Sequence, residues 1–309
     1  MNQVSRKPRL ALLAGLSMPG LGQLYVGDLP RGLCFLLGVA LAVPGAVHLA
    51  LLSPPGLLCF VVLAGVVSAI ALYAWSVLDA VRTARRGSHG AALHSWQRPS
   101  VYLLYIVASY VFVLAPSTAS VRRDLLEAFV VPSSSMSPGI LPGDRIFADK
   151  TIGQPGGTKL WRGATVVFIY PNDRTSTFVK RIVGLPGDEI ELDGSELRVN
   201  GHSVSRGPSA TPTSPAFAGL RAVRERGDRG EYTVLWPARE ELASAVAVTR
   251  FVVPAGQVLV LGDNRAASVD SRRFGTVPVA DVKGVARQIW FSVSAQDGVR
   301  WSRLGKVLG

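Results

Sequence analysis

The stretch "FVKRIVGLPGDEI", residues 178 to 190, joins two runs of β-branched and aliphatic residues through a Gly-Leu-Pro-Gly-Asp turn. Short apolar runs separated by Gly, Pro and Asp are typical of strands in hairpins. The pattern recurs on both sides of this stretch, in "RIFADK" (145–150), "ATVVFIY" (164–170) and "RFVVPAGQVLVLGDN" (250–264). The chain from about residue 125 onward is therefore predicted to form a mainly β domain.

One segment inside this half departs from the strand pattern. It is "SRGPSATPTSPAFAGLRAVRERGDRG", residues 205 to 230, which is rich in Pro, Ser, Gly and charged residues. Such a composition predicts an exposed, mobile excursion over about 204 to 230. We therefore expect a variable β cap, at about 197 to 253, inserted into the β domain.

The first half of the chain is much more apolar than the second. Three segments, at roughly 33–52, 56–79 and 100–118, are long and apolar enough to span about 30 Å of hydrocarbon as helices. The predicted fold class is an N-terminal α-helical membrane region of about three spans, residues 1–122, followed by a mainly β extracytoplasmic domain, residues 123–309.

Residues 10 to 27, "LALLAGLSMPGLGQLYVG", are also apolar, but Pro19 and four glycines interrupt them. A re-entrant or surface-lying element and a fourth span both stay open for this segment. A cleaved signal peptide is not expected, because no small-residue cleavage site and mature soluble domain follow.

The surplus of positive charge, 33 Lys and Arg against 21 Asp and Glu, fits either a nucleic-acid partner or a positive-inside membrane topology. No basic stripe with interleaved aromatic residues is present, so we expect a lipid bilayer and no nucleic acid as partner. The loop between the second and third segments is predicted to be cytoplasmic because it carries four arginines, Arg82, Arg85, Arg86 and Arg98. The third span then runs outward, although Arg122 and Arg123 at its exit argue against this direction.

Cysteine and histidine are scarce in the β half. The only cysteines, Cys34 and Cys59, lie in apolar segments, which excludes a disulfide framework, a Cys-based metal site and a Cys nucleophile downstream. The only histidine there, His202, follows an Asn-Gly pair that predicts an exposed hairpin turn. No metal and no diffusible cofactor is expected.

Two polar features remain that could carry chemistry. The run "VPSSSMSPG", residues 131 to 139, is either a flexible linker or a source of a reactive hydroxyl. Lys180 lies in the middle of an apolar strand; such a lysine usually reaches solvent, but strand alternation puts it on the same face as Phe178. If it is buried, desolvation lowers its pKa from about 10.4 to about 7 or 8 and makes it a general base. A serine hydroxyl needs such a base, so a serine and Lys180 are the plausible pair.

Three clusters together resemble the motifs of bacterial type I signal peptidases, the leader peptidases of peptidase family S26. They are "PSSSMSP" (132–138), "FVKRIVGLPGD" (178–188) and "GDNRAASVDSRRFG" (262–275), in the order of that family and after membrane spans. The resemblance covers about residues 127–196 and 254–293. It implies that the β domain is a catalytic domain of the signal-peptidase type.

The resemblance implies roles for individual residues. Ser135, directly before the methionine, matches the nucleophile and Lys180 the general base. Ser133 matches the position whose hydroxyl helps to hold the oxyanion, and Ser268 the serine that hydrogen-bonds and orients the lysine amine. Asp270 and Arg272 match charged positions that brace the site. The apolar wall of the substrate cleft matches six residues, Phe129, Val131, Pro132, Met136, Ile140 and Val179.

The function implied by the resemblance is that of a membrane-bound serine endopeptidase. It would remove N-terminal signal peptides from exported preproteins after Ala-X-Ala-type sites, on the outer face of a bacterial cytoplasmic membrane. The substrate would bind as an extended strand. Its partners would be signal peptides and the lipid bilayer, with the secretion translocon as a further candidate.

Some positions depart from the family pattern, namely "PGI" at 138–140 and the alanines Ala266 and Ala267. Two alternatives are therefore kept. The first is a catalytically inactive or specialised paralogue that acts as a membrane receptor for export signals. The second is a soluble-type Ser/Lys self-cleaving repressor, which the apolar segments and the lack of a DNA-reading helix disfavour.

Overall fold

The computed structural model describes residues 6–86, 97–153, 159–211, 217–238, 249–296 and 298–308. Parts of two predicted features lie outside the described residues: the middle of the arginine-rich loop, 87–96, and two pieces of the predicted cap, 212–216 and 239–248. The chain forms two compact units, residues 1–125 and residues 126–309.

The first unit is helical, and its described part contains three helices that are long and apolar enough to cross a membrane. Two short helices, α1 (Pro8–Ser17) and α2 (Leu21–Val26), precede α3 (Leu29–Leu52). After a 3-10 turn, Pro55–Leu57, comes α4 (Leu58–Arg86). The third long helix comprises α5 (Pro99–Ser109) and α6 (Ala115–Ser120), each followed by one wider turn, Tyr110–Leu114 and Val121–Leu125. The prediction of about three apolar helices before a β domain is confirmed.

The short helices α1 and α2 correspond to residues 10–27, whose structure the sequence left open. At about 1.5 Å per residue, neither helix is long enough to cross a membrane. The chain breaks at Gly20, whose φ of 84° lies in the left-handed region that favours glycine. A β-carbon on Gly22 would lie 2.6 Å from that of Ala80 in α4, so α2 packs this closely only because Gly22 lacks a side chain. An unbroken fourth span is therefore not formed by residues 10–27.

Polar contacts hold α2 against its neighbours in the helical unit. Gln23 Nε2 donates to Ser76 O at 2.7 Å and to Asp79 Oδ2 at 3.2 Å. Tyr105 Oη donates to Pro19 O at 3.0 Å, next to the break between α1 and α2. Because lipid offers no hydrogen bonds, such internal partners are what make a broken helix tolerable in an apolar environment.

The second unit is mainly β. Its described strands are β1 (Leu126–Val130), β2 (Asp144–Asp149), β3 (Thr165–Ile169), β4 (Thr177–Gly184), β5 (Glu189–Asp193), β6 (Glu196–Val199), β7 (His202–Ser203), β8 (Ser205–Ser209), β9 (Leu220–Arg226), β10 (Glu231–Pro237), β11 (Thr249–Val252), β12 (Gln257–Leu261), β13 (Val277–Pro278), β14 (Val282–Ser294) and β15 (Gly298–Val299). The main sheet has the order β1-β2-β14-β3-β4-β12-β13, and β15 pairs with β14. A short helix, Ser271–Phe274, and two 3-10 turns, Val279–Asp281 and Trp301–Arg303, complete the unit.

Two smaller sheets, β10-β9-β8 and β11-β5-β6-β7, contain most of the predicted cap. The expectation of an irregular excursion over 204–230 is wrong for its described part, because β8 and β9 are strands within it. The charged residues of β9 suggested a solvated loop, but Glu225 is buried and forms an ion pair with Arg265, with 2.5 Å between Glu225 Oε2 and Arg265 Nη2.

In the main sheet, β1 and the first half of β4 each have an edge without a partner among the described strands. β1 pairs with β2 along one side alone. In β4, Thr177 to Arg181 pair with β3, whereas β12 pairs with the later part, Arg181 to Gly184. The edges of β1 and of the first half of β4 are therefore both free to bind an extended peptide.

Candidate active site

Ser135 lies in a turn that follows β1 and is held by backbone contacts. Ser137 N donates to Ser134 O at 3.0 Å, which closes the turn, and Asn264 N donates to Ser135 O at 3.0 Å. The residue is 8% exposed. The serine-rich run is therefore an ordered turn that presents the Ser135 hydroxyl from a fixed backbone, and the flexible-linker alternative is wrong.

Lys180 extends from β4 to this turn. Its Nζ donates to Ser135 Oγ at 2.7 Å and to Val179 O at 3.1 Å, and it lies 5.4 Å from the centre of the Phe178 ring. Only 4% of the residue is exposed. Burial lowers the pKa of the amine to about 8, although the charges of Asp270 and Asp263 act in the opposite direction. At pH 7 about a tenth of Lys180 is therefore neutral and can accept a proton, and this fraction rises with pH.

Ser133 lies on the same side of the turn as the nucleophile candidate. Its Oγ is 3.1 Å from Ser135 Oγ, and either hydroxyl can be the donor. A hydroxyl at this distance can reach an oxygen that develops on a carbonyl attacked by Ser135.

Ser268 does not make the hydrogen bond to Lys180 that was expected. Its buried Oγ has no hydrogen-bond partner of ordinary geometry among the described residues, although it lies close enough to Asp270 to help lower the pKa of that carboxyl. The Ser268 hydroxyl packs directly on the backbone of Gly262. A β-carbon added at Gly262 would lie only 2.2 Å from Ser268 Oγ, so this contact needs a glycine. Val179 O occupies the orienting position on the amine instead.

Asp270 and Arg272 brace the loop around Lys180. Arg272 Nε and Nη2 donate to the two carboxylate oxygens of Asp270 at 2.8 and 2.9 Å, and Arg272 Nη2 also donates to Arg265 O at 2.9 Å. Gly262 N donates to Asp270 Oδ2 at 3.0 Å. Burial alone would raise the pKa of Asp270, but these donors hold it below its usual range. The carboxylate therefore stays charged and fixes the loop.

A cleft of about 380 Å³ opens beside Ser135 and Lys180. Four of the six residues expected on its wall line it, namely Phe129, Val131, Pro132 and Val179. The other two, Met136 and Ile140, are 0% and 2% exposed and belong to the core below the turn, where they pack with Ile146, Val167 and Ile289. Neither of these two residues is among those that line the cleft.

The family model for signal peptidase, peptidase S26, matches residues 102–291, which is more than half of the chain. The chain belongs to this signal peptidase family. It is 28% identical over 262 residues to the signal peptidase I of Buchnera aphidicola subsp. Acyrthosiphon pisum, covering 67% of this chain and 82% of that relative. It is 31% identical over 210 residues to the signal peptidase I of Rickettsia typhi, and the match covers 60% of this chain and 79% of that relative.

Among solved structures, a signal peptidase I from Enterococcus faecalis V583 is 28% identical and covers 41% of this chain and 97% of its own, with a TM-score of 0.26. Family membership makes the chain a serine endopeptidase that acts in signal peptide processing.

The site of this signal peptidase contains several residues that were not predicted from the amino-acid sequence. The cleft is also lined by Val130, Thr177, Phe178, Ala267 and Val269. The alternation of side chains along β1 and β4 could have indicated Val130, Thr177 and Phe178. Arg181 and Asp263 form a buried ion pair, with Arg181 Nε and Nη2 each 2.7 Å from an oxygen of Asp263. Glu225 reaches the same loop from the cap, and its sequence context gave no sign of this.

The described part of the chain places no candidate for a metal centre at the peptidase site. Within the described residues, no group of three or more His, Cys, Asp and Glu side chains is placed to bind a metal ion. The polar side chains that line the cleft are the hydroxyls of Ser133, Ser135 and Thr177 and the amine of Lys180.

Proposed function

We propose that this signal peptidase cuts its substrates with a Ser135/Lys180 dyad, using Ser135 as nucleophile and Lys180 as general base. The observation that carries the proposal is the 2.7 Å hydrogen bond between Lys180 Nζ and Ser135 Oγ inside a buried site. The lowered pKa of the amine, about 8, supports the same assignment.

In the first half of the proposed reaction, Ser135 Oγ attacks the carbonyl carbon of the scissile bond while neutral Lys180 takes the hydroxyl proton. The oxyanion that forms is stabilised by the Ser133 hydroxyl and the backbone N–H of Ser135. The new ammonium then gives its proton to the leaving nitrogen, the carbon–nitrogen bond breaks, and an acyl-enzyme forms on Ser135. In the second half, Lys180 takes a proton from water as the water oxygen attacks the ester carbon. The bond between that carbon and Ser135 Oγ then breaks, Lys180 returns the proton to Ser135 Oγ, and the signal peptide leaves with a new carboxylate.

Ser268 enters the proposal as an orienting group for the charged form of Lys180. An ammonium has three N–H donors, and Ser135 Oγ and Val179 O account for two of them. The unbonded Ser268 Oγ, beside Asp270, is an acceptor that the third donor can use once Lys180 is protonated.

Substrate selection is proposed to follow from the shape and lining of the cleft. Its wall of Phe129, Val131 and Val179 is apolar, and the free edges of β1 and β4 can pair with an extended peptide backbone. A cleft of about 380 Å³ that also holds a peptide backbone leaves room for small side chains. We propose cleavage after Ala-X-Ala-type sites.

The location of the enzyme is part of the proposal. The three apolar helices, the arginines at the end of the second helix and Arg98 before the third favour an anchor, residues 1–122, in a bacterial cytoplasmic membrane, with a catalytic domain, residues 123–309, on the extracytoplasmic side. Its substrates would be exported preproteins, and its partners the lipid bilayer and the secretion translocon.

The test compares the detergent-solubilised parent with Ser135→Ala and Lys180→Ala on a preprotein that has an Ala-X-Ala site. We expect both variants to be folded and inactive. Ser205→Ala and Lys159→Ala, which change a serine and a lysine away from the cleft, serve as matched controls and should cut like the parent. If all five proteins bind the preprotein and none cuts it, the receptor alternative replaces this proposal.

A further inference from the structure

A lysine on β14, Lys283, lies at the end of the cleft that is farther from Ser135. Its Nζ donates to Thr177 Oγ1 at 3.4 Å and lies 5.8 Å from the centre of the Phe129 ring. Phe129 belongs to β1 and Thr177 to β4, and both residues line the cleft. A single amine therefore contacts both of the strands whose free edges can bind an extended peptide.

The place of Lys283 can be expressed in residues of an extended substrate. The lining of the cleft extends from Ser135 and Lys180 to Phe129 and Thr177. Thr177 comes three residues before Lys180 on β4, which is a distance of about 10 Å along a strand that rises about 3.3 Å per residue. A substrate whose cleaved carbonyl lies at Ser135 covers this distance with about three residues. The amine of Lys283 therefore faces the two residues that precede an Ala-X-Ala site.

The charge of Lys283 has no partner in the described part of the chain. Two other cations of neighbouring segments are each matched by a carboxylate. Arg174 Nη1 lies 2.5 Å from Asp281 Oδ2, and Lys150 Nζ lies 3.1 Å from Glu127 Oε2. No carboxylate of the described residues lies within ion-pair distance of Lys283, whose side chain is partly exposed. Its positive charge is therefore available to a substrate.

The chemistry of an ammonium indicates which substrates it favours. It has three N–H donors, and Thr177 Oγ1 accepts only one of them, over a long distance. A carboxylate on the substrate can accept the others and also pairs with the charge, whereas a second cation is repelled. Because Lys283 is partly exposed, solvent screens this interaction and limits it to a modest factor in the cleavage rate.

We infer that Lys283 selects substrates by charge. It favours acidic residues and disfavours basic residues at the two positions before the Ala-X-Ala site. Near Ser135 the wall of the cleft is apolar and selects side chains by size, so Lys283 adds a selection by charge at the other end. The inference rests on the proposed function, because it assigns a further contact to the substrate of the same reaction.

The experiment compares three peptide substrates that differ only at those two positions, which hold Glu-Glu, Gln-Gln or Lys-Lys before the same Ala-X-Ala site. The enzyme is the full-length parent in an uncharged detergent. We expect kcat/KM for the Glu-Glu substrate to be about threefold to tenfold higher than for the Lys-Lys substrate, with the Gln-Gln substrate between them. The preference should shrink in about 1 M salt, which screens exposed charges.

Two charge reversals identify the source of the preference. In Lys283→Glu, the ratio of kcat/KM for the Glu-Glu and Lys-Lys substrates should invert. Lys159→Glu is the matched control, because it changes the net charge by the same amount at an exposed lysine outside the lining of the cleft. It should keep the ratio of the parent within about twofold. Each ratio is taken within one protein, so a general loss of activity in a variant does not affect it.

The outcomes separate the two proposals. Charge selection by Lys283 is wrong if the parent cuts the Glu-Glu and Lys-Lys substrates equally well, or if Lys283→Glu keeps the preference of the parent. It is also wrong if Lys159→Glu changes the ratio as much as Lys283→Glu does. In each of these cases the dyad stands. If the parent cuts none of the three substrates, or if Ser135→Ala cuts them as the parent does, the proposed function itself fails.

Discussion

At the scale of single residues, the site depends on a balance of two effects at Lys180. Burial favours the neutral amine, whereas Asp270 and Asp263 favour the ammonium. Each charge is itself held in place, Asp270 by Arg272 and Asp263 by Arg181. The result is a pKa of about 8, low enough for a general base and high enough for the ammonium to protonate a leaving amine.

The pH dependence of cleavage follows from this balance. Because only neutral Lys180 can take the proton of Ser135, kcat/KM should fall about tenfold per unit of pH below the pKa of about 8 and level off above it. The measurement is a pH–rate profile on a peptide substrate without ionisable groups. A profile that stays flat from about pH 6 to 10 would contradict the assignment of Lys180 as base.

The same profile tests the role of Asp270. Asp270→Asn removes a negative charge that favours the ammonium, so the pKa of Lys180 should fall and the acidic limb should move to lower pH, with a lower maximal rate. Asp281→Asn is the matched control, because Asp281 also pairs with an arginine, Arg174, and is not among the charges that act on Lys180. If the acidic limb moved to higher pH in Asp270→Asn, Asp270 would not raise the pKa of Lys180. If it moved equally in both variants, the shift would not come from the charge of Asp270.

The residues of the site were predictable to different degrees. The turn after β1 carries Ser133 and Ser135, and β4 carries Lys180. The three ordered motifs are enough to group these residues from the amino-acid sequence alone. The directions of Met136 and Ile140 were not predictable, because both follow a turn where neither strand nor helix periodicity applies. The position of Ser268 relative to the amine depends on how the loop packs on Gly262, which no local pattern encodes.

At the scale of elements, the cap strand β9 is tied to the catalytic loop. Arg265, one residue after Asn264, is buried and reaches Glu225 on β9 at 2.5 Å and Gly262 O at 3.1 Å. Asn264 N in turn holds the backbone of Ser135. A strand that looked like a solvated insertion therefore supports the loop that positions the nucleophile.

This link predicts a large effect from a residue far from the chemistry. Glu225→Ala leaves the guanidinium of Arg265 buried without its carboxylate, so the free energy of unfolding should drop by about 3–5 kcal/mol and kcat should fall. Glu231→Ala on β10 is the control, since its pair with Arg224 is 3.7 Å long and about half exposed, and should lower the free energy of unfolding by less than about 1 kcal/mol. Denaturant titration in detergent measures both. Equal effects of the two substitutions would show that the buried pair does not support the loop.

The elements themselves were partly predictable from their periodicity. The three long helices and the strands of the main sheet follow from apolar length and from β-branched runs between turns. β8 and β9 were missed because Gly, Pro and charge outweigh apolar alternation in their sequence, and because the arginine that pairs with Glu225 is distant in the chain. The break between α1 and α2 was visible as Pro19 and Gly20, but which helix they pack on was not.

At the scale of the whole molecule, the question is how the two units are distributed across a membrane. In the proposed topology each of the three apolar helices crosses once, which would put the two ends of the helical region on opposite sides of the membrane. Arg82, Arg85 and Arg86 at the end of α4, with Arg98 before α5, favour the cytoplasm for the loop between the second and third proposed crossings, and the unit from Leu126 onward would then lie outside. Arg122 and Arg123 oppose this orientation but are fewer than the basic residues that support it.

Cysteine labelling in intact spheroplasts tests this orientation. The native cysteines are first replaced by alanine at positions 34 and 59, and one reporter is then introduced, as Ser100→Cys at the start of α5 or Asn172→Cys on an exposed turn of the second unit. A maleimide that does not cross membranes should label Asn172→Cys in intact spheroplasts and should label Ser100→Cys only after the spheroplasts are permeabilised. The reverse pattern would put the Ser135/Lys180 site in the cytoplasm, where it would not meet the cleavage site of an exported preprotein, and the proposed role in secretion would fail.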